Sequence, residues 1–433
     1  MRVAFKKKLI PAALAAASLG GAASAYAAGF ALLEQNASGV GNAYAGSAAI
    51  AEDASTVFFN PAGMTLLPGP QVVVAGHGVN VDTKFSGTAS TAPIPFAALG
   101  TNTGGNAGDL ALIPNLYFAM PIGERLALGI GLSAPFGLKT EYDDDWLGRY
   151  QGIKSDLKTM NVNPSIAYKV SDTVSLGAGL NYQKAEAVLT NAVFLAPPDV
   201  PVLFPQEGRA KLDADDDGWG WNIGALFQVS PDMRIGAAYR SAIDYTLDGS
   251  VSATDAAGAK VIDLPAEADV TFPDSFTLSV VQRFGEQWEL LGDLSYTRWS
   301  EVDTINVIET TGGTQRDELV FDFRDAWRVA LGVNYHRSSN WTFKGGVAWD
   351  QAPVTDSNRT VRLPDTDRVW LAIGAKYRFG KSSAIDVRYA HLFVSDADID
   401  RTRTQFGTAL STTVNGSYDT SIDIFSVQLT YTF

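Results

Sequence analysis

The 433-residue sequence contains no cysteine, so neither disulfide bonds nor thiolate metal sites are available to it. Basic residues are also scarce, because 33 Lys and Arg stand against 47 Asp and Glu and the formal net charge is −14. Nucleic-acid binding requires a basic surface that attracts phosphates. The composition therefore argues against a nucleic acid as partner.

Histidine is the third scarcity, with only His77, His336 and His391 in the chain. No two of them have the spacing of a metal-binding pair, and no Ser-His-Asp arrangement can be argued from their positions. The acidic run at residues 213–217 (DADDD) has calcium-like spacing, but no Glu closes it as in an EF-hand loop. We therefore predict no catalytic residue, no metal and no cofactor, and a lipid-acting enzyme is a distant alternative.

Long apolar runs are missing, and the nearest approach to one is at the N-terminus. Arg2 and Lys6 to Lys8 precede a short Ala-rich apolar stretch, and residues 25–27 (AYA) offer an A-x-A cleavage site. A membrane-spanning helix needs about 20 strongly apolar residues, which this stretch lacks. The pattern predicts that residues 1–27 are a signal peptide removed after Ala27, and that the mature chain is exported.

Residues 28–67 differ in character from everything that follows them. They are rich in Gly, Ala and Ser, carry no Lys or Arg, and contain an Asn60-Pro61 step that favours a tight turn. Residues 68–433 read instead as a series of strands. A compact segment of small residues before many strands predicts a plug, or hatch, inside a structure that the strands build.

The strand pattern is clearest in residues 368–379 (RVWLAIGAKYRF). One face of this strand is apolar and ends in Tyr377 and Phe379, whereas the other face carries cations and small residues. The last strand repeats the alternation and ends at Phe433. Polar faces that collect charge and glycine favour a lumen inside and lipid outside. A soluble all-β sandwich is the alternative.

Short turns alternate with long polar or Gly/Pro-rich connections along residues 68–433. Short turns at one end and long loops at the other are typical of outer-membrane barrels. The runs between them predict an all-β fold: a transmembrane antiparallel β-barrel of about 14 strands. A barrel of that width leaves a channel or a plugged lumen, and residues 28–67 are the candidate hatch.

A set of short motifs, together and in this order, resembles the long-chain fatty-acid transporter family of Gram-negative outer membranes (FadL-type), which also includes aromatic-hydrocarbon transporters. The resemblance covers nearly the whole mature chain. Its motifs are AGF at 28–30, SGVG at 38–41, AYAG at 43–46, IAEDA at 50–54, NPA at 60–62, APFGL at 134–138, WLGRY at 146–150, NPS at 163–165, AY at 167–168, WTF at 341–343, DQAPV at 350–354, LPDTDR at 363–368 and WL at 370–371.

The resemblance implies a monomeric fourteen-stranded barrel with an N-terminal hatch. It also implies that extracellular loops catch a hydrophobic substrate, which then passes to an inner pocket and leaves through a lateral opening beside a kink in the third strand. Here that strand would be residues 125–133, ending at Pro135 and Gly137. Proline cannot donate a ladder hydrogen bond and glycine permits a bend. The alternative is that both residues simply begin a loop.

A fatty acid needs an apolar tunnel for its tail and a cation for its carboxylate. Strand alternation and depth select Arg240, Arg328 and Lys344 as inward-facing cations at middle depth, where Arg offers a carboxylate two parallel hydrogen bonds and Lys a point charge. The alternative for each is a salt bridge inside the lumen. The aspartates considered as partners are Asp244, Asp293, Asp350 and Asp386. Phe59 and Trp299 are candidates to line the tail, and core packing explains either equally well.

These expectations together describe passive, hatch-gated transport of hydrophobic compounds, most simply long-chain fatty acids, across the outer membrane. Asn60, Pro61 and Ala62 are the predicted hinge or anchor of the gate. Membrane lipid and lipopolysaccharide are the expected surroundings of a monomer. An aromatic-hydrocarbon channel of the same family and a diffusion pore for polar solutes stay open as alternatives. No P-loop is present to supply ATP coupling.

Overall fold

The computed structural model of this chain describes residues 28–93, 99–195, 206–405 and 407–433. The predicted signal peptide, residues 1–27, lies outside the described residues. In the described part of the chain, no helix combines the length and the hydrophobicity that crossing a bilayer requires.

Twenty strands run through the described residues and form a single antiparallel sheet. In chain order they are β1 (Gln71–Ala92), β2 (Leu110–Ile122), β3 (Leu126–Ser133), β4 (Gly137–Glu141), β5 (Lys154–Lys169), β6 (Val174–Leu195), β7 (Gln206–Ser230), β8 (Met233–Arg240), β9 (Ile243–Thr254), β10 (Lys260–Phe272), β11 (Ser275–Phe284), β12 (Trp288–Thr297), β13 (Thr304–Glu309), β14 (Gln315–Val320), β15 (Ala326–His336), β16 (Trp341–Asp350), β17 (Arg368–Phe379), β18 (Ser383–Val394), β19 (Ala397–Thr404) and β20 (Ser411–Thr432).

Short breaks divide six longer strands into two segments each: β3 with β4, β8 with β9, β10 with β11, β12 with β13, β14 with β15, and β18 with β19. With each divided strand counted once, the sheet is a closed barrel of 14 strands. It closes where β1 pairs with β20, from Gln71 opposite Thr432 to Ala92 opposite Ser411. Closure matters because an unpaired backbone group in hydrocarbon costs several kcal/mol. The predicted architecture is confirmed.

The predicted alternation of faces is also confirmed, as β17 illustrates. Val369, Leu371 and Ile373 are 47, 51 and 60 % exposed, whereas Arg368 and Trp370 are almost completely buried. A soluble sandwich would bury the apolar face and expose the charged one. The apolar face of this barrel points outward, as a lipid-facing surface requires, so the sandwich alternative is wrong.

Residues 28–67, which we call the hatch, form short helical turns linked by irregular chain. Three four-residue helices, α1 (Ala37–Val40), α2 (Ser47–Ile50) and α3 (Thr56–Phe59), are followed by a 3-10 helix at Pro61–Leu66. A second 3-10 helix, Trp299–Glu301, lies in the break between β12 and β13. The side chain of Asn36 caps α1 by accepting a hydrogen bond from Gly39 N, as N-cap residues do.

Hydrogen bonds join the hatch to strands on different sides of the ring. The Gln428 side chain on β20 accepts from the backbone N–H of Ala37 at 3.0 Å, and Ser279 Oγ on β11 accepts from Ala48 N at 3.0 Å. Asn60 Nδ2 donates to a backbone carbonyl of β7 at 3.0 Å. Because its partners surround it, the hatch lies within the ring of strands.

Glycines on the inner wall allow the hatch backbone to approach closely. A Cβ at Gly236 would lie 2.0 Å from the carbonyl oxygen of Ala48, and a Cβ at Gly346 would lie 2.2 Å from the carbonyl carbon of Asn42. Neither distance is possible between real atoms. Gly345, on the opposite face of the same strand, has its nearest neighbour at 3.8 Å. The glycine content of the wall therefore has a steric purpose at these positions.

The first prediction concerns this close fit. Gly346→Ala should weaken docking of the hatch by about 1–3 kcal/mol, because overpacking against backbone atoms forces the hatch to shift. The measurement is the rate at which a protease cleaves within residues 28–67 of the folded, detergent-solubilised barrel. Gly345→Ala is the matched control and should leave the rate unchanged. Equal rates for the two variants would contradict the steric role.

Candidate functional site

A cavity of 140 Å³, which we call the inner cavity, lies between the hatch and one side of the barrel wall. Leu33, Phe58 and Phe59 line it from the hatch, and Arg240 and Arg328 line it from the wall. Arg240 is the last residue of β8, and Arg328 lies near the start of β15. Two separate strands therefore present a guanidinium group to the same cavity. The structure thus brings together three of the predicted ligand-binding residues.

Arg240 is held by neutral groups. Its Nη1 donates to Asn181 Oδ1 at 2.5 Å, its Nη2 donates to the carbonyl oxygen of Phe58 at 2.9 Å, and its guanidinium lies 4.1 Å from the Phe58 ring centroid. Among the described residues, no carboxylate forms an ion pair with it. An aromatic face attracts a cation without neutralising its charge.

Arg328 is 6 % exposed and also lacks an ion pair within the described chain. Its Nη2 donates to the carbonyl oxygen of Ala43 at 2.5 Å, and its guanidinium lies 5.4 Å from the Trp370 ring. Its Nε is buried without a hydrogen-bond partner in the described residues. Asp293 lines the same cavity, but its carboxylate accepts bonds from Ser47 and from serines on the wall. Neither arginine therefore forms a salt bridge in the described residues, although Asp350 lies opposite Arg328 in the β15–β16 register and Asp293 lines the same cavity.

Lys344, the third predicted cation, lies elsewhere. Its Nζ is 2.7 Å from Glu52 Oε2 and donates to the carbonyl oxygen of Ser38 at 2.9 Å. Lys376 approaches the same glutamate at 3.4 Å. Glu52 belongs to the hatch. The sequence-based candidates for a partner of Lys344 were four aspartates, and Glu52 was not one of the candidates. The arrangement makes Lys344 an attachment point of the hatch, and no part of the inner cavity is formed by it.

Aromatic rings close one end of the inner cavity. Phe59 lines the cavity itself, whereas Trp299 is 1 % exposed and packs edge-on against Phe30, with ring centroids 4.7 Å apart. Phe136 and Phe272 complete the cluster, each within 6 Å of the Phe30 ring. The surroundings of Trp299 are therefore those of a packed core, which was the alternative to a role in lining the substrate tail. Phe30 is the residue that sequence reasoning left without a role.

The barrel wall is interrupted beside this cluster. β3 pairs with β2 only from Leu132 opposite Leu116 to Leu126 opposite Ile122, and β4 pairs with β5 alone in the described sheet. Residues 110–115 of β2 therefore have a strand partner on one side only, which is β1. A 10 Å³ space remains there, lined by Leu112, Ala134, Phe136 and Gly137 among others.

The N-terminal end of the hatch supplies the hydrogen bonds that β2 does not. Leu32 N donates to the carbonyl oxygen of Pro135 at 2.8 Å, and Gly137 N donates to that of Phe30 at 2.8 Å. A Cβ at Gly137 would lie 3.1 Å from the Leu32 side chain. Pro135 and Gly137 thus stand where the third strand leaves its neighbour and turns to the hatch.

A buried carboxylate holds the start of the hatch. Gly29 N donates to Asp365 Oδ2 at 2.7 Å, and Asp365 in turn forms an ion pair with Arg368. Burial raises the pKa of Asp365 to about 6, although Arg368 and the two backbone N–H donors oppose the shift. The LPDTDR motif contains this residue, but the sequence alone does not show what it contacts.

Asn60, Pro61 and Ala62 form a rigid corner of the hatch. Asn60 Nδ2 donates to the carbonyl oxygens of Ala48 and Ala225 at 2.7 and 3.0 Å, and its Oδ1 accepts from Ala62 N at 3.1 Å. Pro61 begins the 3-10 helix, where its missing N–H is not needed. These contacts are those of an anchor, and a hinge role stays a prediction.

Glu34 is a second hatch residue that sequence reasoning missed. It is fully buried, and neither of its carboxylate oxygens has a hydrogen-bond partner on another residue of the described chain. Burial raises its pKa to about 7, although its own backbone N–H and the charges of Arg368 and Arg328 favour ionisation. Asp350 adds to the rise. The sequence contained one signal for an acidic residue of this kind, because residues 28–67 include three acidic residues and no basic residue.

No group of three or more His, Asp or Glu in the described chain is arranged to hold a metal ion. Asp213 and Asp215 lie on the outside of the barrel, paired with Lys211 and Lys184. His77 is buried between Ser426 and Asn115, 2.7 and 2.9 Å away.

A family model described as outer membrane protein transport protein (OMPP1/FadL/TodX) matches residues 18–433. A long-chain fatty acid transport protein of Salmonella typhi is 31 % identical over 404 residues, which span 88 % of this chain and 91 % of the relative. The crystal structure of a Pseudomonas aeruginosa FadL homologue has a TM-score of 0.85 at 26 % identity, covering 94 % of this chain and 100 % of that one. The Ralstonia pickettii toluene transporter TbuX shares the fold, with a TM-score of 0.67 at 22 % identity, over 93 % and 100 % of the two chains.

The second prediction follows from the raised pKa of Glu34. Below about pH 4.5 the Glu34 carboxyl is neutral whether or not the hatch is docked, so its burial does not destabilise the docked hatch. Between pH 4.5 and 7 the carboxyl keeps its proton only when the hatch is docked, so the stability of the docked hatch falls as pH rises. Above pH 7 the burial of Glu34 lowers that stability by its full amount, about 3 kcal/mol. Glu34→Gln should therefore protect residues 28–67 from proteolysis at pH 8, relative to the native chain, and make no difference at pH 4.

Glu52→Gln is the control of opposite sign. Burial disfavours the charge of Glu52, but Lys344 and Lys376 outweigh it and hold its pKa below the ordinary value. Removing that charge should loosen the hatch at pH 8. The assignment of Glu34 would be wrong if Glu34→Gln were no more resistant than the native chain at pH 8.

Proposed function

The chain belongs to the outer membrane protein transport protein family (OMPP1/FadL/TodX), and on this premise we propose that it carries long-chain fatty acids by passive diffusion. The family consists of transport proteins, and the chain is a transporter rather than an enzyme. The proposed route leads from the long-loop end of the barrel to the inner cavity, and from there through the gap beside the third strand.

The observation that carries the proposal is the pair of arginines on the inner cavity. Arg240 and Arg328 face one small space lined partly by aromatic rings, and neither forms a salt bridge with a carboxylate in the described residues. A buried charge without a hydrogen-bonded counter-ion is costly. A fatty-acid carboxylate would provide that counter-ion through charge-assisted hydrogen bonds, whereas an aromatic hydrocarbon has no use for either cation.

The same two arginines connect binding to the hatch. Arg240 donates to the carbonyl oxygen of Phe58 and Arg328 to that of Ala43, both within residues 28–67. A carboxylate that attracts the guanidinium groups competes with these bonds. Substrate therefore binds more tightly to the state in which the hatch is less firmly held. A ligand shifts an equilibrium between two states only when it binds one of them more tightly.

The proposed exit is the interruption between β2 and β4. There the wall is completed by Phe30 and Leu32, through two backbone hydrogen bonds to residues 135–137. Movement of this short segment would open a path from the inner cavity to the outside of the barrel, because Leu32 and Phe136 line both the inner cavity and the space at the gap. Pro135 and Gly137 are the proposed frame of the lateral opening, and residues 60–62 the fixed end of the gate.

The cellular setting is part of the proposal. Removal of residues 1–27 after export would leave Ala28 at the N-terminus, next to the Gly29 contact with Asp365. One chain contains the whole cavity and gap, which supports a monomer. Exposed charged pairs such as Lys84 with Asp82 lie toward the long-loop end, where lipopolysaccharide would meet them.

The third prediction tests the carboxylate anchors. Arg240→Met and Arg328→Met should each weaken oleate binding roughly 10-fold, the effect of losing a charged hydrogen bond, and leave toluene binding unchanged. Binding is measured by equilibrium titration of the purified protein in lipid nanodiscs. Lys84→Met, which removes the same charge from an exposed position, is the control.

Oleate binding that survives both substitutions would refute the anchor assignment. Tight toluene binding together with no oleate binding by the native protein would favour the aromatic-hydrocarbon alternative. Conductance to polar solutes in planar bilayers, without either ligand binding, would favour a diffusion pore.

The fourth prediction separates exit from binding. Ala134 lines the 10 Å³ space at the gap, so Ala134→Trp should obstruct it and suppress oleate uptake by cells while purified protein still binds oleate. Leu128→Trp, on the lipid-facing side of β3, adds the same side chain outside the route and is the control. Unimpaired uptake in cells carrying Ala134→Trp would show that substrate leaves elsewhere.

A further inference from the structure

The start of the hatch is fixed in one position by close packing. Gly29 has a φ of 64°, in the left-handed region that favours glycine. A Cβ at Gly29 would lie 2.7 Å from the Trp299 ring and 3.0 Å from the Pro353 side chain, so a larger residue does not fit. Immediately after it, Phe30 and Leu32 form the two backbone hydrogen bonds that complete the wall beside the third strand. The residue before Gly29 therefore has a defined place.

That place is beside a buried carboxylate. Asp365 is 4 % exposed, and its Oδ2 accepts the hydrogen bond from Gly29 N at 2.7 Å. One residue of extended chain spans at most about 3.6 Å, so the backbone nitrogen of Ala28 lies within about 6 Å of this oxygen. An opposite charge within about 4–6 Å is close enough to stabilise a carboxylate.

Carboxyl groups outnumber cations around this point. Three buried carboxyl groups interact electrostatically with two buried guanidinium groups in the described residues: Glu34, Asp350 and Asp365 with Arg328 and Arg368. Arg359 also approaches Asp365 and donates to its backbone carbonyl oxygen at 3.0 Å, but Arg359 forms an ion pair with Asp356. With all three carboxyl groups ionised, the cluster is one positive charge short.

The missing charge is reflected in the two acids nearest the start of the hatch. Burial raises the pKa of Asp365 to about 6 and that of Glu34 to about 7, although Arg368 opposes both shifts. The Glu34 carboxylate also has no hydrogen-bond partner on another residue of the described chain. A buried carboxylate without a partner is costly, so a further cation here would stabilise the docked hatch.

The chain can supply this cation only through its backbone, because residues 28–67 contain no Lys or Arg. The proposed removal of residues 1–27 would create it. Hydrolysis of the Ala27–Ala28 peptide bond consumes one water and leaves a carboxylate on Ala27 and an amine on Ala28. An α-amine has a pKa of about 8, so it takes up a proton and is an ammonium group at neutral pH.

We propose that the α-ammonium group of Ala28 binds beside Asp365 as its counter-ion, so that removal of the signal peptide completes the docking of the hatch. The ion pair holds residues 29–32 against the third strand and keeps the gap in the wall closed. The inference rests on the cleavage after Ala27 that is part of the proposed function, and it does not depend on the identity of the substrate.

The first experiment measures how reactive the Ala28 amine is. Mature protein in nanodiscs is acetylated briefly at pH 7, and the modified peptides are quantified by mass spectrometry. A free α-amine reacts faster than a lysine at this pH, because its pKa is about 8 and that of lysine is about 10.4. The Ala28 amine should instead react no faster than the exposed Lys381. In Asp365→Asn, which keeps an acceptor for Gly29 N, it should react roughly 10-fold faster.

The second experiment separates charge from packing. A glycine inserted between Ala27 and Ala28 moves the ammonium group by one residue and should speed proteolysis of residues 28–67 roughly 10-fold. The same insertion in the Asp365→Asn protein should change the rate little, because the counter-ion is already absent. An insertion that acts only by steric clash would speed proteolysis equally in both proteins.

The proposal is overturned by that equal effect, or by an Ala28 amine that reacts faster than Lys381 in the native protein. It is also overturned if the N-terminal peptide of the mature protein begins at a residue other than Ala28. In each of these cases the proposed transport function still stands if oleate binding depends on Arg240 and Arg328.

Discussion

The constraint on which the structure depends is that backbone hydrogen bonds must be satisfied inside a membrane. It forces the sheet to close, and β1 pairs with β20 along 22 residues of each strand to do so. Closure of 14 strands encloses more space than the wall side chains fill. A segment with its own internal hydrogen bonds can occupy that space, and the capped turns of residues 28–67 do so.

The same constraint explains where the candidate site lies. At the end of β3 the third strand leaves β2, which would expose backbone groups to hydrocarbon. Phe30 and Leu32 supply two of the missing bonds to residues 135–137. The wall is thus completed by the hatch at this place, through two backbone hydrogen bonds and not through a continuous strand, and the proposed lateral opening depends on this difference. The aromatic cluster around Phe30 and the Asp365 contact hold that segment in position.

Part of the candidate site could be predicted from the two-residue period of the strands and from the depth of each residue in the barrel. Strand alternation placed Arg240 and Arg328 inside at middle depth, and both line the inner cavity. Lys344 satisfied the same two criteria but is paired with Glu52, 292 residues away in the chain. Alternation describes a strand and its two faces only. It contains no information about which side chains a separately folded segment will bring to the lumen.

The sequence by itself determined the closed barrel and the small-residue hatch, because two-residue periodicity, loop alternation and missing apolar helices are local properties of the chain. Tertiary structure alone decided which inward cations are neutralised. Among the residues that the structure describes, the fold of the hatch carries Glu52 to Lys344, leaves Arg240 and Arg328 hydrogen-bonded to neutral groups, and buries the Glu34 carboxylate without a hydrogen bond from another residue. The reason is physical: pairing depends on the distance between atoms in space, and contacts between hatch and wall join residues that are hundreds of positions apart in the chain.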